Sequence, residues 1–279
     1  MSPAASVVIP AHDEASVLPR CLDALLDGPL DLEVVVVANA CTDATAALAR
    51  ARGVRVVETP VPGKAHALDL GDAACTAFPR AYLDADVVLP QAALAQALET
   101  LRRPSVLATA PRLAWDPTGV PRRVRAFYRV WTALPYVTDG LLGSGVYVLS
   151  EQGRARFGAF PDAIGDDVHV RSLFAPAERP SSPGTFTMFP PRTLRALVAI
   201  KTRAWTGNAQ HDRAGGKPRS APAAGAGRGP STARALLRRP DVWSGLPVYA
   251  GVYGLARLRG QRRAAHGRTT TWERDSTSR

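Results

Sequence analysis

Asp84-Ala85-Asp86 follows directly on the short apolar run Ala81–Leu83. Two carboxylates one residue apart in a turn can both face a hard divalent cation such as Mg2+ or Mn2+, which favours oxygen ligands. Standing alone, such a pair is equally a solvated turn. A second acidic pair, Asp166 and Asp167, lies in FPDAIGDDVHV, residues 160–170. Adjacent side chains on a strand or turn point apart, so only one of the two would reach a substrate as a general base. Lys64, at the head of KAHALDLGDAA, offers a cation or is a plain surface lysine at a helix start. Asn39 ends the run EVVVVAN, and Pro10, Ala11 and Glu14 lie in PAHDEAS. Gly143-Ser144-Gly145 is a small-residue turn, and Lys201, Arg203 and Trp205 stand close together in IKTRAWTGNAQ.

These residues need elements to hold them. SVVIP, EVVVVA and residues 54–58 read as strands, each followed by an apolar pattern at helical spacing: residues 17–26, the Ala-rich stretch from Thr42 or Asp43 to Gly53, and residues 64–78. Ala81–Leu83 is a fourth strand, Pro90 opens a helix through Leu101, and residues 106–110 form a fifth strand. EVVVVA is apolar throughout, as a strand buried on both faces should be. The rhythm predicts an α/β fold with a mostly parallel sheet flanked by helices. Ligands of such sheets collect at the carboxyl ends of strands, where Asp84-Ala85-Asp86 falls. A dinucleotide-binding Rossmann domain is excluded, because PAHDEAS has no glycine to admit a pyrophosphate. Farther on, helices are expected over residues 121–136 and 192–209, with a strand over 143–149.

The 279 residues carry a net charge of +11, with 46% hydrophobic and 21% charged residues, a globular composition. The charge is uneven. Residues 1–200 hold 19 basic and 20 acidic residues, and residues 201–279 hold 16 and 4. The expected organisation is a near-neutral catalytic body over 1–210, a Gly/Ala/Pro/Arg-rich linker over 211–230, and a basic, helical C-terminal segment over 231–279. Three scattered cysteines suggest neither a disulfide framework nor a zinc site, and the start of the chain has no secretory pattern, so a cytoplasmic location is expected.

Four runs, VVIPAHDE, VVVVANACTDAT, PGKAHALDLGDAA and AYLDADVVL, occur in that order. With GSG at 143–145, FPDAIGDDVHV and IKTRAWTGNAQ behind them, the chain resembles the family 2 glycosyltransferases of the GT-A fold over roughly residues 5–210. That resemblance implies an inverting, metal-dependent enzyme of cell-envelope or polysaccharide synthesis. It would move a sugar from a nucleotide-diphosphate donor to a glycan, lipid-linked or small-molecule hydroxyl acceptor. Pro10, Ala11, Glu14, Asn39, Lys64, Asp84 and Arg203 would bind the donor. Asp86, with Asp84, would hold Mg2+ or Mn2+. Gly143, Ser144, Gly145 and Trp205 would meet the acceptor. Asp167 would be the base, with Asp166 in reserve. Ala38 and His169 stand where the family often has acids.

Two other classes remain open from sequence: a non-catalytic nucleic-acid or anionic-surface binder acting through the basic tail, and a nucleotidyltransferase of related fold. The uncharged stretch Val242–Ala256 spans roughly 22 Å as a helix, short of the ~30 Å of a bilayer core. With Trp243, Tyr249 and Tyr253 ahead of several arginines, it suits either peripheral contact at the inner membrane face or docking on the body.

Overall fold

The computed structural model describes residues 2–138, 145–161, 166–213 and 230–265. In chain order the elements are β1 Ala5–Ala11, α1 Leu18–Leu26, β2 Leu32–Asn39, α2 Thr45–Arg50, β3 Arg55–Thr59, α3 Lys64–Ala74, β4 Arg80–Leu83 and α4 Gln91–Leu101. There follow β5 Ala108–Trp115, α5 Arg122–Thr132, α6 Pro135–Thr138, β6 Val146–Leu149, α7 Glu151–Arg154, α8 Asp166–Ser172, β7 Ser181–Met188, α9 Leu194–Arg213, α10 Pro230–Leu237 and α11 Leu246–Ala265. The described residues fall into two compact units, 2–114 with 145–161 and 166–188, and 115–138 with 189–213 and 230–265. Residues 214–229, most of the expected linker, lie outside the described residues.

In the first unit the seven strands are ordered β3-β2-β1-β4-β6-β5-β7. The first four run parallel, and β6 is antiparallel to both β4 and β5. Both faces of the sheet are buried, and the pleat decides which side chain goes where. Val7 and Ile9 of β1, with Val34 and Val36 of β2, pack with α1 and α4. Val8, Val35 and Val37 face the other way, with Ala67 and Leu68 of α3. That is why the runs VVI and VVVV show no polar alternation. Gly71 lets α3 lie close on the strands, since a Cβ there would stand 2.4 Å from Val8 Cγ1 and 3.0 Å from Val37 Cγ2.

Several boundaries differ from the sequence expectation. Helix α3 stops at Ala74 rather than Phe78, because the following backbone finds better partners. Thr76 N–H donates to Glu33 Oε2 at 2.7 Å and Ala77 N–H to Ser6 Oγ at 3.0 Å. The fifth strand begins at Ala108 and runs on to Trp115, since Val106 N–H closes a turn on Arg103 O instead. The helix expected over 121–136 breaks between α5 and α6. Pro90 caps α4 from outside.

In the second unit, the stretch Val242–Ala256 is two elements, a 3-10 turn Pro240–Gly245 and the first half of α11. Tyr249 and Tyr253 stack on Phe127 of α5, with ring centroids 5.2 and 5.7 Å away, and Val252 and Ala256 are buried. This face of α11 is therefore docked within its own unit. Among the described residues, no helix is long and apolar enough to cross a membrane. Gly71→Ala is expected to lower stability by about 1 kcal/mol, read as a fall in Tm, because crowding against Val8 outweighs the gain in helix propensity.

Candidate active site

The carboxyl ends of the parallel strands gather the predicted residues of the first unit. Pro10 and Ala11 end β1 opposite Val37 and Ala38, and all four are buried. The loops beyond are tied to each other. Asp13, in a left-handed conformation at φ 51°, accepts from the backbone N–H of Thr42 and Asp43. Asp43 in turn accepts from Ala15 N–H and, at the start of α2, from Thr45 N–H and its hydroxyl. Asp43 thus serves its helix start, as a short polar side chain at a helix entrance can. Cys41 Sγ lies between the Ala11 carbonyl and Asp13 N–H, at 3.4 and 3.3 Å. Glu14 is buried, its N–H bound to Thr45 Oγ1 at 2.8 Å.

Asn39 has a task that no sequence pattern displays. It is 1% exposed, its Nδ2 donates to Gly63 O at 2.7 Å, and its Oδ1 accepts from Gly63 N–H at 3.1 Å. At the strand end where the donor is expected, the side chain clamps the residue before Lys64. Gly63 sits at φ 148°, a conformation natural only to glycine, and from it α3 departs. His12 Nδ1 bonds the Asn39 carbonyl at 2.7 Å, and His66 Nε2 bonds Thr59 Oγ1 at 3.2 Å, so both have structural partners.

Held in this way, Lys64 joins two acids far apart in sequence. Its Nζ is 2.8 Å from Asp84 Oδ1 and 2.9 Å from Asp166 Oδ1. Burial alone would push the ammonium down. The charges of Asp166 and Asp84, with their hydrogen bonds, outweigh burial and hold its pKa well above the usual lysine value. Asp166 is buried and its Oδ2 accepts from Tyr147 OH of β6 at 3.1 Å. Burial, then the Asp166 charge, raise the phenol well above its usual pKa, so Tyr147 remains a donor. Asp166 and Asp167 open α8, where successive residues turn by roughly 100°. Asp166 thus points into the cluster, and Asp167 is only half-buried.

Gly145 completes the support of Asp84. Asp84 N–H donates to Gly145 O at 2.8 Å. A Cβ on Gly145, at φ 107°, would approach Val87 Cγ1 to 2.8 Å and Asp84 Oδ2 to 3.5 Å. Asp84 is 36% exposed and Asp86 is exposed, so both offer hard oxygen donors to solvent. This donor set fits a divalent cation. His169 is half-buried, with its ring edge-on to Phe157. Gly143 and Ser144 lie outside the described residues. Arg203 and Trp205 are on α9 in the second unit. Trp205 packs so closely on α11 that a Cβ on Gly260 would stand 2.3 Å from its ring. Core packing accounts for its position. Lys201 lies over the Trp131, Phe127 and Tyr128 rings, 4.5 to 5.9 Å from their centroids. Burial pushes its ammonium down to about 8, a cost the ring faces partly offset.

The α/β sheet that carries these acids and the lysine at the carboxyl ends of its strands has the fold of solved glycosyltransferases. The mannosyltransferase PcManGT from Pyrobaculum calidifontis, in complex with GDP-Man and Mn2+, superimposes with a TM-score of 0.60 at 23% identity, covering 96% of this chain and 80% of that one. Glucosyl-3-phosphoglycerate synthase from Mycobacterium tuberculosis, in complex with phosphoglyceric acid, gives 0.55 at 19%, over 77% and 81%. No curated protein sequence matches. Residues 6–148 match the family model of glycosyl transferase family 2, which is over half the chain, and the protein belongs to that family. It is therefore an enzyme, and the binding-module reading of its charge gives way.

Lys64→Met leaves Asp84 and Asp166 without the charge between them. The expected loss is about 2 kcal/mol by urea unfolding, below the fully buried case because Asp84 is partly solvated. Lys64→Arg should retain most of the stability. For Lys201, the folded value of about 8 lies below the 10.5 of an ordinary lysine. Between those values the unfolded chain holds a proton that the folded chain has released, so this group makes stability rise with pH there. Lys201→Met is expected to raise Tm at pH 7 and to flatten that rise.

Proposed function

We propose that this protein transfers a sugar from a nucleotide-diphosphate sugar to a hydroxyl acceptor, glycan, lipid-linked or small molecule, with inversion at the anomeric carbon. The supporting observation is the cluster at the end of β4, in which Lys64 bridges Asp84 and Asp166 while Asp167 and Asp86 stay accessible. Asp86 and Asp84 would hold Mg2+ or Mn2+, whose charge offsets the negative charge that grows on the departing diphosphate. Pro10, Ala11 and Glu14 line the strand ends where the nucleotide would lie, and Asn39 acts by fixing the turn that carries Lys64. The Lys64 ammonium, kept protonated by its acids, is available to the diphosphate.

In the transfer, Asp167 takes the proton of the acceptor hydroxyl. The hydroxyl oxygen bonds the anomeric carbon from the face opposite the diphosphate, whose oxygen leaves with the bonding pair. Asp166 is the poorer base, because both its oxygens are engaged by Lys64 and Tyr147. The neighbour structures with GDP-Man, or with UDP-Glc and Mn2+, support a nucleotide-sugar donor and a divalent metal. The enzyme would work in the cytoplasm, in peripheral contact with the inner face of a membrane.

A thermal-shift screen of nucleotide-sugars with and without Mn2+ identifies the donor, since a ligand bound only by the folded state raises Tm. Asp86→Ala is expected to abolish both the Mn2+-dependent shift and sugar transfer. Asp167→Asn should lower turnover by about 10^2- to 10^4-fold while keeping donor binding and Tm. Full activity in Asp167→Asn would remove it as the base.

A further inference from the structure

The second unit carries a basic recess that sugar transfer does not use, a cavity of about 230 Å3 between α5 and the Pro240–Gly245 turn. Arg122, Arg125 and Arg129, spaced three and four residues apart, line it from one face of α5. Asp241 and Ser244 line it from the turn. Asp241 is paired with Arg239 at 2.8 Å, and the charge of Arg129 also reaches it, so the recess keeps a positive excess. Arg125 donates to the carbonyls of Pro117 and Val120, both at 3.3 Å, which anchors its guanidinium without neutralising it. Among the described residues, these three arginines form no ion pair.

Bare apolar side chains adjoin this charge. Trp243 sits between the lining residues Val242 and Ser244 and is 49% exposed, and Leu237, at the end of α10, is 69% exposed. Trp243 Nε1–H donates to Leu236 O at 2.9 Å, so the indole lies against the end of α10 with its polar edge satisfied. Arg238 and Arg239 follow, both exposed. A free phosphate or a nucleic-acid backbone would answer the arginines but not the exposed indole and leucine. A lipid surface answers both, with guanidinium groups on phosphates and the apolar pair at the boundary of headgroups and acyl chains.

We propose that this surface docks on an anionic phospholipid membrane, the arginine recess receiving a lipid phosphate while Trp243 and Leu237 enter the interface. The inference rests on the peripheral contact of the proposed function, and not on sugar transfer. It moves that contact away from Tyr249 and Tyr253, which are stacked on Phe127.

Co-sedimentation of the full chain with phosphatidylcholine vesicles, with and without phosphatidylglycerol, tests it. Binding is expected only with phosphatidylglycerol, and weaker at high salt. Arg122→Gln with Arg129→Gln should reduce affinity about 25-fold, at about fivefold per arginine. Leu237→Ser, a surface change, should weaken binding with Tm unaltered. No binding to the anionic vesicles overturns the membrane contact. Binding lost in Arg259→Gln with Arg262→Gln but kept in the recess variants overturns its address. Inorganic phosphate or duplex DNA binding as tightly, with Leu237→Ser silent, makes the recess a general anion site and overturns the lipid assignment. Nucleotide-sugar hydrolysis, expected unchanged in all these variants, reports on the transfer reading separately.

Discussion

Like charges at the carboxyl end of a sheet repel, and Asp84 and Asp166 share one site because the Lys64 ammonium stands between them, within 3 Å of each. An ion pair this near the interior is favourable only if its geometry is held and its remaining valences are met. Both conditions are built in. Asn39 clamps Gly63 and so sets where α3 starts. Gly145 receives the Asp84 N–H and, lacking a Cβ, avoids Val87, while Tyr147 fills the second oxygen of Asp166. The result is a cluster of graded burial, with Asp166 buried, Asp167 half-buried and Asp86 exposed.

The same helix that carries Lys64 ties the cluster to the rest of the unit. Asp69 accepts from Phe160 N–H at 2.9 Å, which pins the segment leading toward α8. One helical turn later, Asp72 gathers Tyr82 OH, Arg80 and Arg154 at 2.5 to 3.0 Å and joins α3 to β4 and α7. These contacts hold the Asp166 side of the site against α3, just as the sheet holds the Asp84 side. Buried polar networks of this kind are stable because each member is satisfied. Rigidity at the lysine follows from satisfied neighbours on both sides.

The parallel strands were legible because burial on both faces leaves a plain mark, an unbroken apolar run, and because the turn chemistry after each run is polar. Asp84-Ala85-Asp86 could be placed for the same reason, at the end of such a run. Asn39 shows the limit. Its position at a strand end marked it as a site residue, but whether its amide met ligand or backbone depended on Gly63, which lies on another loop. Tyr147 left no signal at all, since a tyrosine in an apolar strand looks like core until its hydroxyl is seen to reach a buried carboxylate. The helix end at Ala74 was displaced by Ser6 and Glu33, two polar residues on neighbouring strands.

The C-terminal region separates local from tertiary information most clearly. Composition alone established that positive charge gathers after residue 200 and that Val242–Ala256 is too short to span a bilayer. Which of its aromatic residues faces solvent was a matter of packing. Tyr249 and Tyr253 found Phe127, and Trp243 did not. By itself the sequence determined the succession of strands, helices and chemistry-bearing residues along the chain, because periodicity and residue type are local properties. The tertiary structure alone decided that Lys64, Asp84 and Asp166 meet and that Arg122, Arg125 and Arg129 share a recess with Ser244. Contact between distant segments depends on how the sheet twists and the helices pack, and no short motif encodes that.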